Sequence, residues 1–157
     1  MAAFYNRPDV LRALVETGAD LRPRGLKGAT LLYVSAVQGH CEVAKILLEN
    51  GSDPSWVDEE GRAASFQAAN GEHCKIPQIL AVTGDDLRGV DKYGNSLLHS
   101  SASGGAREAF EMLVNTRAYT LRWRNINTES TPIHSAIVES SVEMAKHVLE
   151  AIRLYGI

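Results

Sequence analysis

Five histidines, two cysteines and two runs of carboxylates are the side chains in this chain that could do chemistry. His40, His73, His99, His134 and His147 could serve as general bases or metal ligands. Cys41 and Cys74 could act as nucleophiles or soft ligands. Asp58-Glu59-Glu60 and Asp85-Asp86 could gather a hard cation. None of these groups stands in the spacing that such chemistry needs. The chain has no H-E-x-x-H, no nucleophile elbow, no phosphate loop and no C-x-x-C. The carboxylates are consecutive rather than spaced for coordination, so they read as solvated loop charges. Gly104-Gly105 reads as a turn, not a phosphate cradle. His99, His134 and Glu139 are the candidates for an enzymatic or small-molecule groove. The main reading has no catalytic residue, no metal and no cofactor.

The positions of these residues follow a period. Gly28, Gly61 and Gly94 stand 33 residues apart, and so do Cys41 and Cys74. A fixed period of this length means stacked supersecondary units with one continuous core. After each glycine comes a short helix of small residues, such as Ser35-Ala36 and Ala68-Ala69, which lets neighbouring helices approach closely. A polar or glycine turn follows, then a second helix with apolar residues at i, i+3 and i+4: Val43, Ile46 and Leu47, then Ile76, Ile79 and Leu80, then Ala109, Phe110, Met112 and Leu113. Gly51 and Gly84 close their units as left-handed caps. Packed helices lie about 8–10 Å apart, too far for a disulfide between equivalent positions, so both cysteines are expected to be free thiols.

These motifs resemble the ankyrin repeat. The best match runs from Gly28-Ala29-Thr30 through Gly39-His40-Cys41-Glu42-Val43-Ala44-Lys45-Ile46-Leu47-Leu48 to Gly51-Ser52-Asp53. Thr131-Pro132-Ile133-His134 opens the last unit, and Gly18-Ala19-Asp20 ends a truncated first one. The resemblance implies an all-α solenoid of helix–turn–helix units with projecting β-hairpin-like loops. It covers the whole chain as one domain of five units, approximately 1–24, 25–57, 58–90, 91–125 and 126–157. It also implies that His40, His73, His99 and His134 are framework residues that bond neighbouring backbone and tie one repeat to the next. His147 has no such role. The departures include Arg117-Ala118-Tyr119 in place of glycine-alanine-aspartate and two extra residues before the last unit, so the weakest junction is expected around Arg117 to Glu129. Val148, Leu149, Ile152 and Leu154 make the last helix apolar without a polar cap, which fits either a fragment of a longer protein or an array that docks by its end.

The bulk numbers are those of an ordinary globular domain. The chain has 157 residues, 45% hydrophobic and 22% charged, with a net charge of −3, so no strong field draws nucleic acid. No apolar run approaches the roughly 18–20 residues of a membrane span, and Met1 to Arg7 lack the sustained apolar core expected of a signal peptide. A cytoplasmic or nuclear protein, monomeric or part of a longer chain, is expected.

What the resemblance implies for function is protein binding on the concave side, formed by loop tips and first helices. Carried over by position, the tips supply Lys27, then Glu59, Glu60 and Arg62, then Lys92, Tyr93 and Asn95, then Asn127 and Ser130. The first helices supply Gln38, Asn70, Ser103 and Glu139, and Trp123 precedes the last tip. Tyr93 and Trp123 are the aromatic anchors, although Trp123 could equally tuck against its own loop. Arg22, Arg24, Arg88, Arg122 and Arg124 form a basic strip near the loop bases or are solvated charges. The partner is another protein's loop, helix or peptide. A structural spacer inside a larger protein is the other non-catalytic reading.

Overall fold

The structure is a computed structural model and describes residues 5–21, 28–71, 89–115, 124–139 and 141–155. Among them are eight helices: α1 (Pro8–Glu16), α2 (Leu31–Val37), α3 (Cys41–Glu49), α4 (Ala64–Asn70), α5 (Leu97–Ser103), α6 (Arg107–Asn115), α7 (Pro132–Val138) and α8 (Val142–Tyr155). They form two layers. The short first helices α2, α4, α5 and α7 stack one upon the next, and each of α2, α5 and α7 pairs with the longer helix that follows it. In the second layer α1 packs on α3 and α6 on α8.

Small side chains set the stacking distance. Ala36, Ala69 and Ala102 stand at one register position in α2, α4 and α5, and all three are fully buried. The buried hydroxyls Ser35 and Ser101 donate to the carbonyls of Leu32 and Leu98, three residues back, so they cost little where they sit. Leu11, Leu32, Val43 and Leu47 fill the first part of the core, and Phe66, Leu97, Leu98, Phe110, Leu113, Met144 and Val148 the second. The expected helical periodicity of the second helices is thus realised in α3 and α6. Ile76, Ile79, Leu80, Gly84, His73 and Cys74 lie outside the described residues, as do Asp85-Asp86, Arg117-Ala118-Tyr119 and the arginines at 22, 24, 88 and 122. Cys41 is a free thiol.

Each first helix begins at a small residue. Thr30 Oγ1 accepts from the Tyr33 amide (3.1 Å) ahead of α2, and Ser96 and Thr131 cap α5 and α7 in the same place. Pro132 occupies the first turn of α7, where a missing N–H costs nothing. Gly104, just after α5, has a packing reason: a Cβ there would lie 2.0 Å from the Asn70 carbonyl oxygen at the end of α4.

The apolar C-terminal end is narrower than the sequence suggests. Val148 is fully buried and Ile152 half-buried, because α8 turns that stripe onto α6 and α7. Leu149 and Leu154 are the exposed members. His147 contacts the carboxylate of Glu111 on α6, and Glu111 also accepts from Arg107 Nε (3.1 Å). The last helix is thereby pinned to its neighbour.

Candidate functional site

The loop tips are built by one acidic or amide residue each. Asp58 Oδ1 accepts the amides of Glu60 and Arg62 (both 2.9 Å). Asp91 Oδ1 accepts those of Tyr93 (2.9 Å) and Asn95 (2.8 Å). Asn125 Oδ1 accepts those of Asn127 (2.8 Å) and Thr128 (2.9 Å). Each side chain folds the chain back on itself as an Asx turn. The backbone closes each tip, from Asp58 N to Arg62 O (3.1 Å), Asp91 N to Asn95 O (3.0 Å) and Asn125 N to Ser130 O (2.7 Å). The tips are therefore hairpin-like, although their only strand pairing among the described residues is an isolated bridge between Val90 and Ser96. Consecutive tips are also joined: Lys92 N donates to Glu60 O (2.8 Å) and Ile126 N to Gly94 O (3.2 Å).

Asp58 is thus not a solvated loop charge. Its Oδ2 accepts from the Tyr33 hydroxyl of the preceding unit (2.6 Å) and from Arg62 Nε (3.0 Å), and Gln67 Nε2 donates to the Tyr33 oxygen (2.9 Å). Burial pushes the Asp58 carboxyl up, but the Tyr33 hydroxyl and the Arg62 amide and guanidinium together hold it below the usual carboxylate range. The Tyr33 phenol is pushed up to about 12, by burial first and then by its bond to Asp58. Trp56 meets the Tyr33 ring edge-on with centroids 4.9 Å apart. The repeat position of Tyr33 is that of His99 and His134, and it reaches toward the following tip.

His99 is buried and its tautomer follows from its partners. The Ser96 amide points at Nδ1 (3.3 Å), so Nδ1 accepts, and Nε2 carries the proton and donates to the Ser130 carbonyl of the next tip (3.0 Å). Burial, with some help from nearby His134, holds this imidazole below its ordinary value. His99 is the inter-repeat tie expected of it. His134 makes the first half of that arrangement only: Thr131 N donates to its Nδ1 (3.1 Å), and Nε2 has no protein partner among the described residues.

The face made by the first helices and the tips holds a shallow groove of about 330 Å³ across α4, α5 and α7. Six residues expected at the binding surface meet there: Arg62, Asn70, Asn95, Ser103, Ser130 and Glu139. Asp91, His99, Ser100, His134, Ser135 and Val138 complete the wall. Asn70 Nδ2 donates to Ser100 O (3.2 Å) and Ser100 Oγ to Phe66 O (3.1 Å), which ties α4 to α5 beneath the opening. Asp91, Ser100 and Ser135 were not expected from position alone. The 33-residue spacing of Asp58 and Asp91 is the signal that could have found the tip-building acids.

Other expected residues lie apart from the groove. Glu59, Glu60, Lys92, Tyr93 and Asn127 are on the tips, and Gln38 is exposed at the end of α2, outside the lining. Lys27 and Trp123 lie outside the described residues. Tyr93 is 56% exposed, with Lys92 Nζ 5.1 Å from its ring centroid. Glu60, Arg62 and Lys92 are already paired: Arg62 Nη2 lies 2.8 Å and Lys92 Nζ 3.4 Å from the Glu60 carboxylate. Among the described residues no group of three or more histidine, cysteine or acidic side chains could hold a metal ion, and no helix is long and apolar enough to cross a membrane.

Residues 1–58 match the family model described as ankyrin repeats (3 copies). The described helices beyond residue 58 continue the same paired stacking. No curated protein matches the chain.

Proposed function

We propose that residues 1–157 form one ankyrin-repeat domain of five units, approximately 1–24, 25–57, 58–90, 91–125 and 126–157, and that it is a non-catalytic module that binds another protein along its concave face. Ankyrin repeats generally mediate protein–protein contacts, and the groove lies where first helices and tips converge. The observation that carries the reading is the state of the groove's side chains. Ser103, Ser135, Glu139 and His134 Nε2 make no side-chain hydrogen bond there among the described residues. Polar groups left open together on one face suit a partner that completes them.

The groove is shallow and open, unlike the enclosed pockets that small substrates need. Tyr93 supplies an exposed aromatic at the rim. The free thiol of Cys41 suits a reducing compartment, cytoplasmic or nuclear. Affinity capture from lysate by the chain, beside a Tyr93→Ala, Ser103→Arg variant, tests the surface. A partner bound at the groove should be held at least about tenfold more weakly by the variant. Equal capture by both chains would contradict the assignment.

A further inference from the structure

The groove's charge is unbalanced in a way that names its ligand. Arg62 is occupied by Asp58 (3.0 Å) and Glu60 (2.8 Å). Asp91 is occupied by the amides of Tyr93 and Asn95 and the Asn95 side chain. Glu139 alone among the ionised groups of the wall has no hydrogen bond or ion pair among the described residues. Its neighbour Val138 is 78% exposed, the most exposed large hydrophobic among the described residues. An open carboxylate beside an open aliphatic surface fits a side chain with an apolar stem and a cationic head. The remaining lining is neutral, and the polar groups it leaves open among the described residues are the Ser103 and Ser135 hydroxyls and His134 Nε2. These donors and acceptors match a main chain rather than bulky side chains.

We infer that the groove takes an extended peptide segment bonded through its main chain, with one lysine or arginine whose stem lies on Val138 and whose head meets the Glu139 carboxylate. The inference rests on the concave-face reading above. Three first helices at about 8–10 Å spacing span roughly 16–20 Å, which about five or six extended residues cover at ~3.3 Å each.

A library of random linear peptides displayed on phage, panned on the whole chain, tests both levels separately. Ser103→Arg fills the groove, and Asn70→Arg serves if the first variant loses its helical circular dichroism. Expected are peptides with a recurrent lysine or arginine that are lost on the filled chain. Synthetic copies should bind about twofold to fivefold more weakly to Glu139→Gln, as fits one exposed ion pair. Neutralising the peptide's basic residue should cost the same on the unaltered chain and nothing further on Glu139→Gln. Peptides lost on the filled chain but without a recurrent basic residue, or indifferent to Glu139→Gln, would overturn the cationic ligand while leaving the groove in place. Enriched peptides that bind the filled chains equally, or no enriched peptide at all, would overturn both.

Discussion

His99 joins two roles in one side chain, and both depend on its being neutral. Nδ1 accepts from the start of its own helix while Nε2–H donates to the next tip. A second proton on Nδ1 would remove the acceptor inside a buried site. The folded-state value is depressed by burial, so the unfolded chain binds the proton more readily. Stability from this group is therefore full above the ordinary imidazole range and is lost as pH falls through that range toward the lower folded value. Melting temperature should fall between neutral pH and about pH 5, and more gently in His99→Gln, which keeps a capping-box side chain without the titration. An unchanged slope in the variant would contradict this role. Asp58 acts lower: its carboxyl is held below the usual range, so its contribution is present above that range and disappears as pH falls further. The framework role of His99 was legible from its place in the repeat. The tip-building role of Asp58 had a signal in its 33-residue spacing from Asp91, but its tie to Tyr33 had none, because that bond spans 25 residues and exists only in the assembled stack.

At the scale of the elements, the last tip differs from the others. Gly61 and Gly94 take positive φ (74° and 87°), and Glu129 stands at the corresponding turn with φ 58°. A side chain in this region costs about 1–2 kcal/mol, part of which glycine returns as unfolded-state entropy. Glu129→Gly should stabilise the fold by roughly 0.5–1 kcal/mol in denaturant unfolding; a loss of stability would contradict the strain. The sequence hid this position, because Thr131 follows Ser96 by 35 residues rather than 33 and one of the two extra residues lengthens the tip. Gly104 is the opposite case. Read as a turn residue, it is also the point where α5 meets the end of α4. Gly104→Ala should destabilise by about 1–3 kcal/mol, as overpacking does; circular dichroism melts would reveal a neutral effect if the backbone could yield. Helix placement itself was largely legible, from the glycine period, the small residues of α2 and α5, and the apolar spacing of α3 and α6.

The described residues form a stack in which two joints carry the same tie with different side chains. Tyr33 to Asp58 and His99 to Ser130 are two chemical versions of one tie, and tip-to-tip backbone bonds run alongside them. Such an array presents a long preformed surface whose recognition lies in whatever groups the ties leave over. Repeat position alone picks out six of the groove's lining residues. It could not separate Glu60, Arg62 and Lys92, which neutralise one another, from Glu139, which stays open, because pairing is a property of the assembled stack. The most direct test is to map backbone amide chemical shifts of the isotope-labelled chain as a groove-dependent peptide is added. Shifts should concentrate on α4, α5, α7 and the tips around Tyr93 and Ser130. Shifts confined to α3, α6 and α8, on the opposite layer, would contradict the account.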